Sequence, residues 1–124
     1  MKKYSGKTYA IALVIILIIY SFWYLRPVPK PTKENIIPVL GQVVRIYESG
    51  EKDISIELKN DSRHFYINRG LEQGLSLKVL NNKLMHKQAK LYYINYWQPL
   101  PESDTRHLAK VEISDEILFS EKIN

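Results

Sequence analysis

A stretch of 18 residues without a charged side chain, residues 8–25, lies near the start of the chain. As an α-helix it would be about 27 Å long, close to the roughly 30 Å hydrocarbon core of a bilayer. Residues 11–19 are apolar throughout, and aromatic residues stand at both ends, as they do at membrane interfaces. A cleaved signal peptide has a shorter apolar segment followed by small residues, whereas Phe22, Trp23 and Tyr24 are bulky. The sequence therefore predicts an uncleaved transmembrane helix over residues 8–25, embedded in the lipid bilayer.

The net charge of +5 comes entirely from the residues around this segment. Residues 1–34 carry six Lys and Arg against one Glu, whereas residues 35–124 carry twelve basic and twelve acidic side chains. A neutral domain lacks the positive field that attracts a polyanion, so we predict no nucleic-acid partner. Basic residues flank the helix almost equally on both sides, and the short basic tail 1–7 favours a cytoplasmic N-terminus. We therefore expect a periplasmic or extracellular C-terminal domain.

The segment after the helix, residues 26–38, is rich in proline, with Pro27, Pro29 and Pro31 at every second position. Proline cannot continue a helix and favours the extended polyproline II conformation. The segment is predicted to end the helix and to act as a semi-rigid stalk. Residues 39–124 are then left for a single folded domain.

Residues 39–124 show mostly the two-residue period of β-strands. The clearest case alternates Ile54, Ile56 and Leu58 with polar residues, and Gly41 suits a bulge or sharp bend in the strand before it. Strands are predicted over 39–48, 54–59, 64–67, 89–97, 107–113 and 117–119, the last two as a hairpin or one long bent strand.

One segment between these strands has the period of a helix. Ser76 is a suitable N-cap, and Leu77, Leu80 and Leu84 then fall on one face of a helix that ends near His86. The alternative is a strand through residues 75–79, which Asn81 and Asn82 would interrupt at once. The helix is preferred.

The resulting order of three strands, one helix and two or three strands matches the five-stranded OB barrel. The sequence thus predicts a mainly β chain with an N-terminal transmembrane helix and a small OB-like barrel of five to six strands with one short helix. An SH3-like barrel and a fragment of a β-sandwich remain alternatives.

Three segments give the chain a resemblance to known proteins: residues 65–71 (FYINRGL), 96–100 (YWQPL) and 106–110 (RHLAK). With its layout, the chain resembles the small single-pass membrane proteins of Gram-negative bacteria that carry an OB-like or SH3-like β domain behind an N-terminal anchor. The resemblance covers residues 39–124. It implies export of the domain and no particular activity.

The sequence contains no pattern of residues typical of a catalytic, metal or cofactor site. There is no cysteine, and His64, His86 and His107 lack metal-ligand spacing, so we expect scattered surface histidines. Asp104, Arg106 and His107 are predicted to lie in a solvated turn. The segment Asn60–Asp61–Ser62 fits the N-glycosylation pattern and is predicted to be an exposed turn. We predict no enzyme activity and no cofactor.

Aromatic residues are the strongest indication of function in the sequence. OB barrels present aromatic side chains on their binding face, although aromatics also fill cores. The candidates for contact with a partner are Tyr47, Tyr66, Tyr96 and Trp97. The favoured hypothesis is a membrane-anchored, non-catalytic binding or accessory module for an envelope protein, peptide or glycan. The alternative is a structural subunit of a larger membrane complex, with assembly contacts made by the transmembrane helix.

Overall fold

The computed structural model describes residues 5–24, 28–96 and 104–123. Its elements, in chain order, are α1 (Gly6–Tyr24), β1 (Ile36–Ser49), β2 (Asp53–Leu58), β3 (His64–Ile67), a 3-10 turn (Gly70–Gln73), α2 (Leu77–Leu84), β4 (Gln88–Ile94), β5 (Thr105–Ile113) and β6 (Glu116–Ser120). The prediction of an apolar N-terminal helix followed by a mainly β domain is confirmed.

Helix α1 carries Lys7 in its first turn and is apolar on all sides over residues 11–19. Its 19 residues span about 28 Å, and none of the side chains in the window Gly6–Trp23 is buried. The hydroxyl of Ser21 donates to the carbonyl oxygen of Leu17 at 2.8 Å, so this polar group is satisfied within its own helix. Among the described residues, α1 is the one helix long and apolar enough to cross a membrane.

Strands β1, β2 and β3, joined by short turns, pair as an antiparallel meander. The long strand β1 uses its first half against β4 and its second half against β2. The register shift lies between Val43 and Arg45, two residues beyond the predicted position, Gly41. Gly41 has another role, because a Cβ there would lie 2.8 Å from Cδ1 of Leu58. The glycine lets β1 pass close to the end of β2.

The strands pair in the order β3-β2-β1-β4-β5-β6, with a further pairing between β3 and β5. All neighbouring pairs are antiparallel except β3–β5, which is parallel. The first residues of β5 pair with β3 and its last residues pair with β6. Strand β5 therefore pairs with three strands, β3, β4 and β6. The final segment is a hairpin turning at Ser114 and Asp115, which decides between the two predicted arrangements.

One apolar core lies on the inner side of these strands. Ile54, Ile56 and Leu58 are buried as the alternation in β2 predicts. Helix α2 adds Leu80 and Leu84, and its N-cap is Ser76, whose hydroxyl accepts from the backbone N–H of Val79 at 3.4 Å. The predicted helix is confirmed. The other fully buried large side chains come from all the remaining strands but β6: Val43, Phe65, Ile67, Leu91, Ile94, Leu108 and Val111.

The described part of the predicted stalk is folded against the domain near its end. Strand β1 starts at Ile36, and Pro31 is buried. The side chain of Asn35 accepts from the backbone N–H of Thr32 at 2.6 Å and donates to the carbonyl oxygen of Lys30 at 3.0 Å. The carbonyl oxygen of Asn35 in turn accepts from the backbone N–H of Asn95 at 2.6 Å, just after β4. Residues 30–35 are thus a hydrogen-bonded entry to the first strand.

Candidate functional site

The outward sides of β1, β2, β3 and the start of β5 form a polar groove of about 450 Å³. We call it the tyrosine groove. Its lining residues are Tyr47, Ser49, Asp53, Ser55, His64, Tyr66, Asn68 and Thr105. Each comes from a strand or its immediate end, so the groove is part of the sheet and needs no long loop to form.

Strand register explains why these side chains stand side by side. Tyr47 pairs with Ser55, Ser55 with Tyr66, and Tyr66 with His107, which makes one row across four strands. The next row in the same direction is Arg45, Glu57, His64 and Thr105. Because side chains alternate between the two sides of a strand, Ile46, Ile56 and Phe65, which lie between the two rows, point into the core. The groove therefore lies on the outward side of β1, β2 and β3.

The first cluster in the groove joins Tyr66, His107 and Glu121. Nε2 of His107 lies 2.9 Å from Oε1 of Glu121, and Nδ1 lies 3.3 Å from the hydroxyl of Tyr66. A carboxylate has no proton to give, so Nε2 donates to Glu121, and Nδ1 forms the second hydrogen bond with the Tyr66 hydroxyl. The two rings also meet edge to face, with centroids 5.1 Å apart. His107 is 9% exposed, so the cluster is held within the domain.

A second cluster of the same composition lies beside it. Nδ1 of His64 is 2.9 Å from Oε1 of Glu57, and the hydroxyl of Tyr47 donates to the same oxygen at 3.4 Å. Arg45 lies over the ring of Tyr47, 4.1 Å from its centroid, and its guanidinium is 3.8 Å from Glu57. Between the two clusters, the hydroxyls of Ser49 and the buried Ser55 are hydrogen-bonded to each other. Polar contacts therefore fix both tyrosine rings.

The acidity of Tyr66 limits the chemistry of the first cluster. Burial, with smaller contributions from Tyr96 and from nearby carboxylates, raises the pKa of Tyr66 to about 12. A nucleophilic or basic side chain is instead activated by a lowered pKa or by a base that removes its proton. The phenol stays protonated at physiological pH, which suits hydrogen bonding and ring contact more than attack on a substrate.

Of the four aromatic residues predicted to contact a partner, the structure brings two into the groove. Tyr47 and Tyr66 are half-buried and lie on either side of Ser55. Tyr96 is half-buried just beyond β4 and is close enough to affect the ionisation of Tyr66. Trp97 lies outside the described residues.

Two expectations about histidine need correction. His107 is buried within β5 and is not a surface histidine, because Tyr66 and Glu121 satisfy both ring nitrogens. The predicted solvated turn holds at Asp104, which is exposed in a bend, but Arg106 and His107 belong to β5, which begins at Thr105, two residues before the predicted strand. The backbone carbonyl of Asp104 accepts from His64 at 2.7 Å, and this contact starts the pairing with β3. An apolar run, Leu108 and Ala109, directly after His107 was the sequence signal for a strand.

The residues that sequence reasoning missed are Ser55, Glu57, His107 and Glu121. Ser55 and Glu57 were placed on the polar side of β2, and that alternation could have indicated a polar face. Nothing local indicates Glu121, which follows the last strand and reaches His107 14 positions away.

A second outward face, on β4 and β5, also carries a tyrosine. We call it the lysine–tyrosine face: Lys90, Tyr92, Lys110 and Glu112. The ammonium groups of Lys90 and Lys110 lie 5.3 and 5.1 Å from the centroid of the Tyr92 ring. Lys110 contacts Glu112 at 2.6 Å, which lowers the pKa of the Glu112 carboxyl. Each of these contacts joins two residues of the same strand or of adjacent strands.

Comparisons with known proteins identify no family. No protein-family model and no curated protein matches the chain. Of the predicted resemblance, the layout holds: an apolar N-terminal helix and a small antiparallel β sheet. Within residues 5–24, 28–96 and 104–123, no group of three or more His, Cys, Asp or Glu side chains could hold a metal ion.

Proposed function

We propose that this chain is a membrane-anchored, non-catalytic binding module whose β domain holds a partner in the tyrosine groove. In this proposal α1 spans the membrane once, the N-terminus is cytoplasmic, and the domain lies on the outer side. The observation that carries the proposal is the groove itself, where Tyr47 and Tyr66 stand on one face with buried or hydrogen-bonded polar groups between them.

The strand arrangement supports an OB-like architecture. The parallel pairing of β3 with β5, the position of α2 between β3 and β4, and the bent β1 shared by two neighbours are all features of the five-stranded OB barrel. OB barrels bind ligands on the face of their second and third strands, and the tyrosine groove occupies that face.

Two properties favour binding over catalysis. The Tyr66 hydroxyl, with a pKa of about 12, is no activated nucleophile. The hydrogen bonds within each cluster hold the rings in place before a partner arrives, which lowers the entropic cost of binding.

A photocrosslinking experiment in intact cells tests the proposal. The full-length protein would carry p-benzoylphenylalanine at position 47 or, as a matched control on the lysine–tyrosine face, at position 92. We expect a discrete adduct after irradiation from position 47 and none from position 92. Equal adduct patterns at both positions, or no adduct from position 47, would refute the groove as the binding site.

The side of the membrane can be tested with one engineered cysteine. The chain has no cysteine, and Glu51 is exposed in the loop between β1 and β2, away from the hydrogen bonds of the groove. For the Glu51→Cys variant we expect labelling by a membrane-impermeant maleimide in intact cells. Protection that ends only on lysis would place the domain in the cytoplasm and reverse the proposed orientation.

A further inference from the structure

The chemistry of the tyrosine groove narrows the class of ligand. Besides the two tyrosines, the described residues that line it have hydroxyl, amide, imidazole and carboxylate side chains, and none of these residues is aliphatic, Lys or Arg. Such a set can donate and accept many hydrogen bonds but offers no pocket for an apolar side chain. A ligand that fits must itself present many hydroxyl or amide groups.

The two central strands of the groove are paired along both edges. Strand β2 lies between β1 and β3, and β3 lies between β2 and β5, whereas residues 45–49 of β1, at the rim, pair with β2 alone. A peptide that adds a strand to a sheet needs an open edge with unpaired N–H and C=O groups. The floor of the groove presents side chains only, so it does not suit a peptide that binds through its main chain.

The charge of the groove disfavours a polyanion. Asp53 lines it directly, and Glu57 lies within the second cluster at its side. Arg45, the cation at this cluster, already contacts Glu57 and covers one side of the Tyr47 ring. Phosphate or sulfate groups would meet carboxylates here, and those carboxylates are acceptors suited to uncharged hydroxyl groups.

From these three observations we infer that the tyrosine groove binds a neutral oligosaccharide. The rings of Tyr47 and Tyr66 pack against the C–H faces of successive sugar units, and Ser49, Asp53 and Asn68 hydrogen-bond to sugar hydroxyls. This inference rests on the proposed binding function and names its ligand class. The salt dependence of binding is small, since no ion pair forms between sugar and protein.

The test uses the full chain in lipid nanodiscs, which avoids sugar-based detergents that would compete for the site. The protein is applied to an array of neutral, sialylated and sulfated oligosaccharides, with a single-stranded oligonucleotide as a polyanion control. We expect binding to neutral members, with Tyr47→Ala about tenfold weaker because one ring contact is lost, and Tyr92→Ala unchanged. Circular dichroism of each variant separates loss of binding from loss of folding.

Three outcomes would overturn the inference: no binding to any neutral oligosaccharide, preference for the sulfated members or the oligonucleotide, or an affinity for neutral members that Tyr47→Ala leaves unchanged. The crosslinking experiment distinguishes this failure from failure of the binding function itself. If position 47 gives a protein adduct but no oligosaccharide on the array binds, the proposed binding function holds and the oligosaccharide inference is refuted. If neither an adduct nor binding to the array is found, both proposals are refuted.

Discussion

The tyrosine groove and the lysine–tyrosine face are two outward surfaces of the same small domain, and each combines tyrosine with charged side chains. They differ in how the polar groups are held. In the groove, His107 is buried and has partners on β3 and after β6, and Ser55 is buried between two tyrosines. On the lysine–tyrosine face, the contacts of Tyr92 are with half-buried lysines and one carboxylate on its own and the next strand.

Burial of polar groups has a cost unless hydrogen bonds compensate for it, so a buried network is more specific than a surface one. The network around His107 and Ser55 is therefore buried, whereas the polar side chains of the second face are half-buried. Residue composition alone does not distinguish a binding surface whose side chains are already held in place from an ordinary outward face of a strand. The following experiments test that difference, from the largest expected effect to the smallest.

The largest difference is expected for two substitutions in β5. His107→Ala leaves the hydroxyl of Tyr66 and the carboxylate of Glu121 without their partner in a largely buried site, and we expect the free energy of unfolding to fall by about 2 kcal/mol. Lys110→Ala, the control on the same strand, should leave it unchanged within error. Urea denaturation followed by circular dichroism measures both. Equal effects would show that the groove network is no more important to the fold than a surface pair.

Removal of one hydroxyl from each face should have a smaller effect. Tyr66→Phe removes the hydrogen bond to the buried His107, and we expect a loss of about 1 kcal/mol. Tyr92→Phe removes a contact with the half-buried Glu112 and should have little effect, because water can replace that contact. The same variant tests the pKa of Tyr66, which burial raises from 10.0 to about 12. The folded chain then keeps a proton that the unfolded chain releases, so this stabilisation is complete below pH 10 and is lost as the pH rises towards 12.

Urea denaturation at several pH values above neutrality measures this contribution as the difference between the native protein and Tyr66→Phe. We expect the difference to shrink between pH 10 and about 12. A difference that stays constant over this range would contradict a raised pKa for Tyr66.

The smallest expected effect is the change with salt concentration in the pKa values of two carboxylates, Asp61 and Glu112, whose pKa values are lowered in the folded chain. Asp61, in the turn that leads to β3, accepts from the backbone N–H of Arg63 at 3.0 Å, and from Nε and Nη2 of Arg63 at 3.0 and 2.9 Å. These hydrogen bonds lower the pKa of Asp61, and the contact with Lys110 lowers that of Glu112. Both contributions to stability exist above the usual carboxyl pKa and are lost as the pH falls below it.

We expect an increase in salt from about 0.05 M to about 0.5 M to raise the pKa of Glu112 towards its usual value and to change that of Asp61 less. The reason is that a bidentate guanidinium is fixed in geometry, whereas a single ammonium contact is mobile and screened. Carboxyl carbon chemical shifts in an NMR titration report both values. The same response at both residues would show that the turn before β3 is no more rigid than the lysine–tyrosine face.

Local patterns carried much of the fold prediction. The uncharged stretch predicted α1, the alternation of Ile54, Ile56 and Leu58 predicted β2, and Ser76 predicted the start of α2. Each of these signals lies within a few residues of the element that it predicts, because backbone hydrogen bonding and solvent exclusion act over one or two turns or along one strand. The same locality explains the errors at β5, since a strand that starts beside Asp104 and Arg106 has no clear local pattern at that end.

The sequence by itself determined the helices, the strands and the neutrality of the β domain. Only the tertiary structure decided which outward face became the groove. The parallel pairing of β3 with β5 places His107 beside Tyr66, 41 positions earlier in the chain, and Glu121 reaches the same imidazole from beyond β6. Strand pairing across such separations depends on how the whole core packs, so no local pattern in the sequence encodes it.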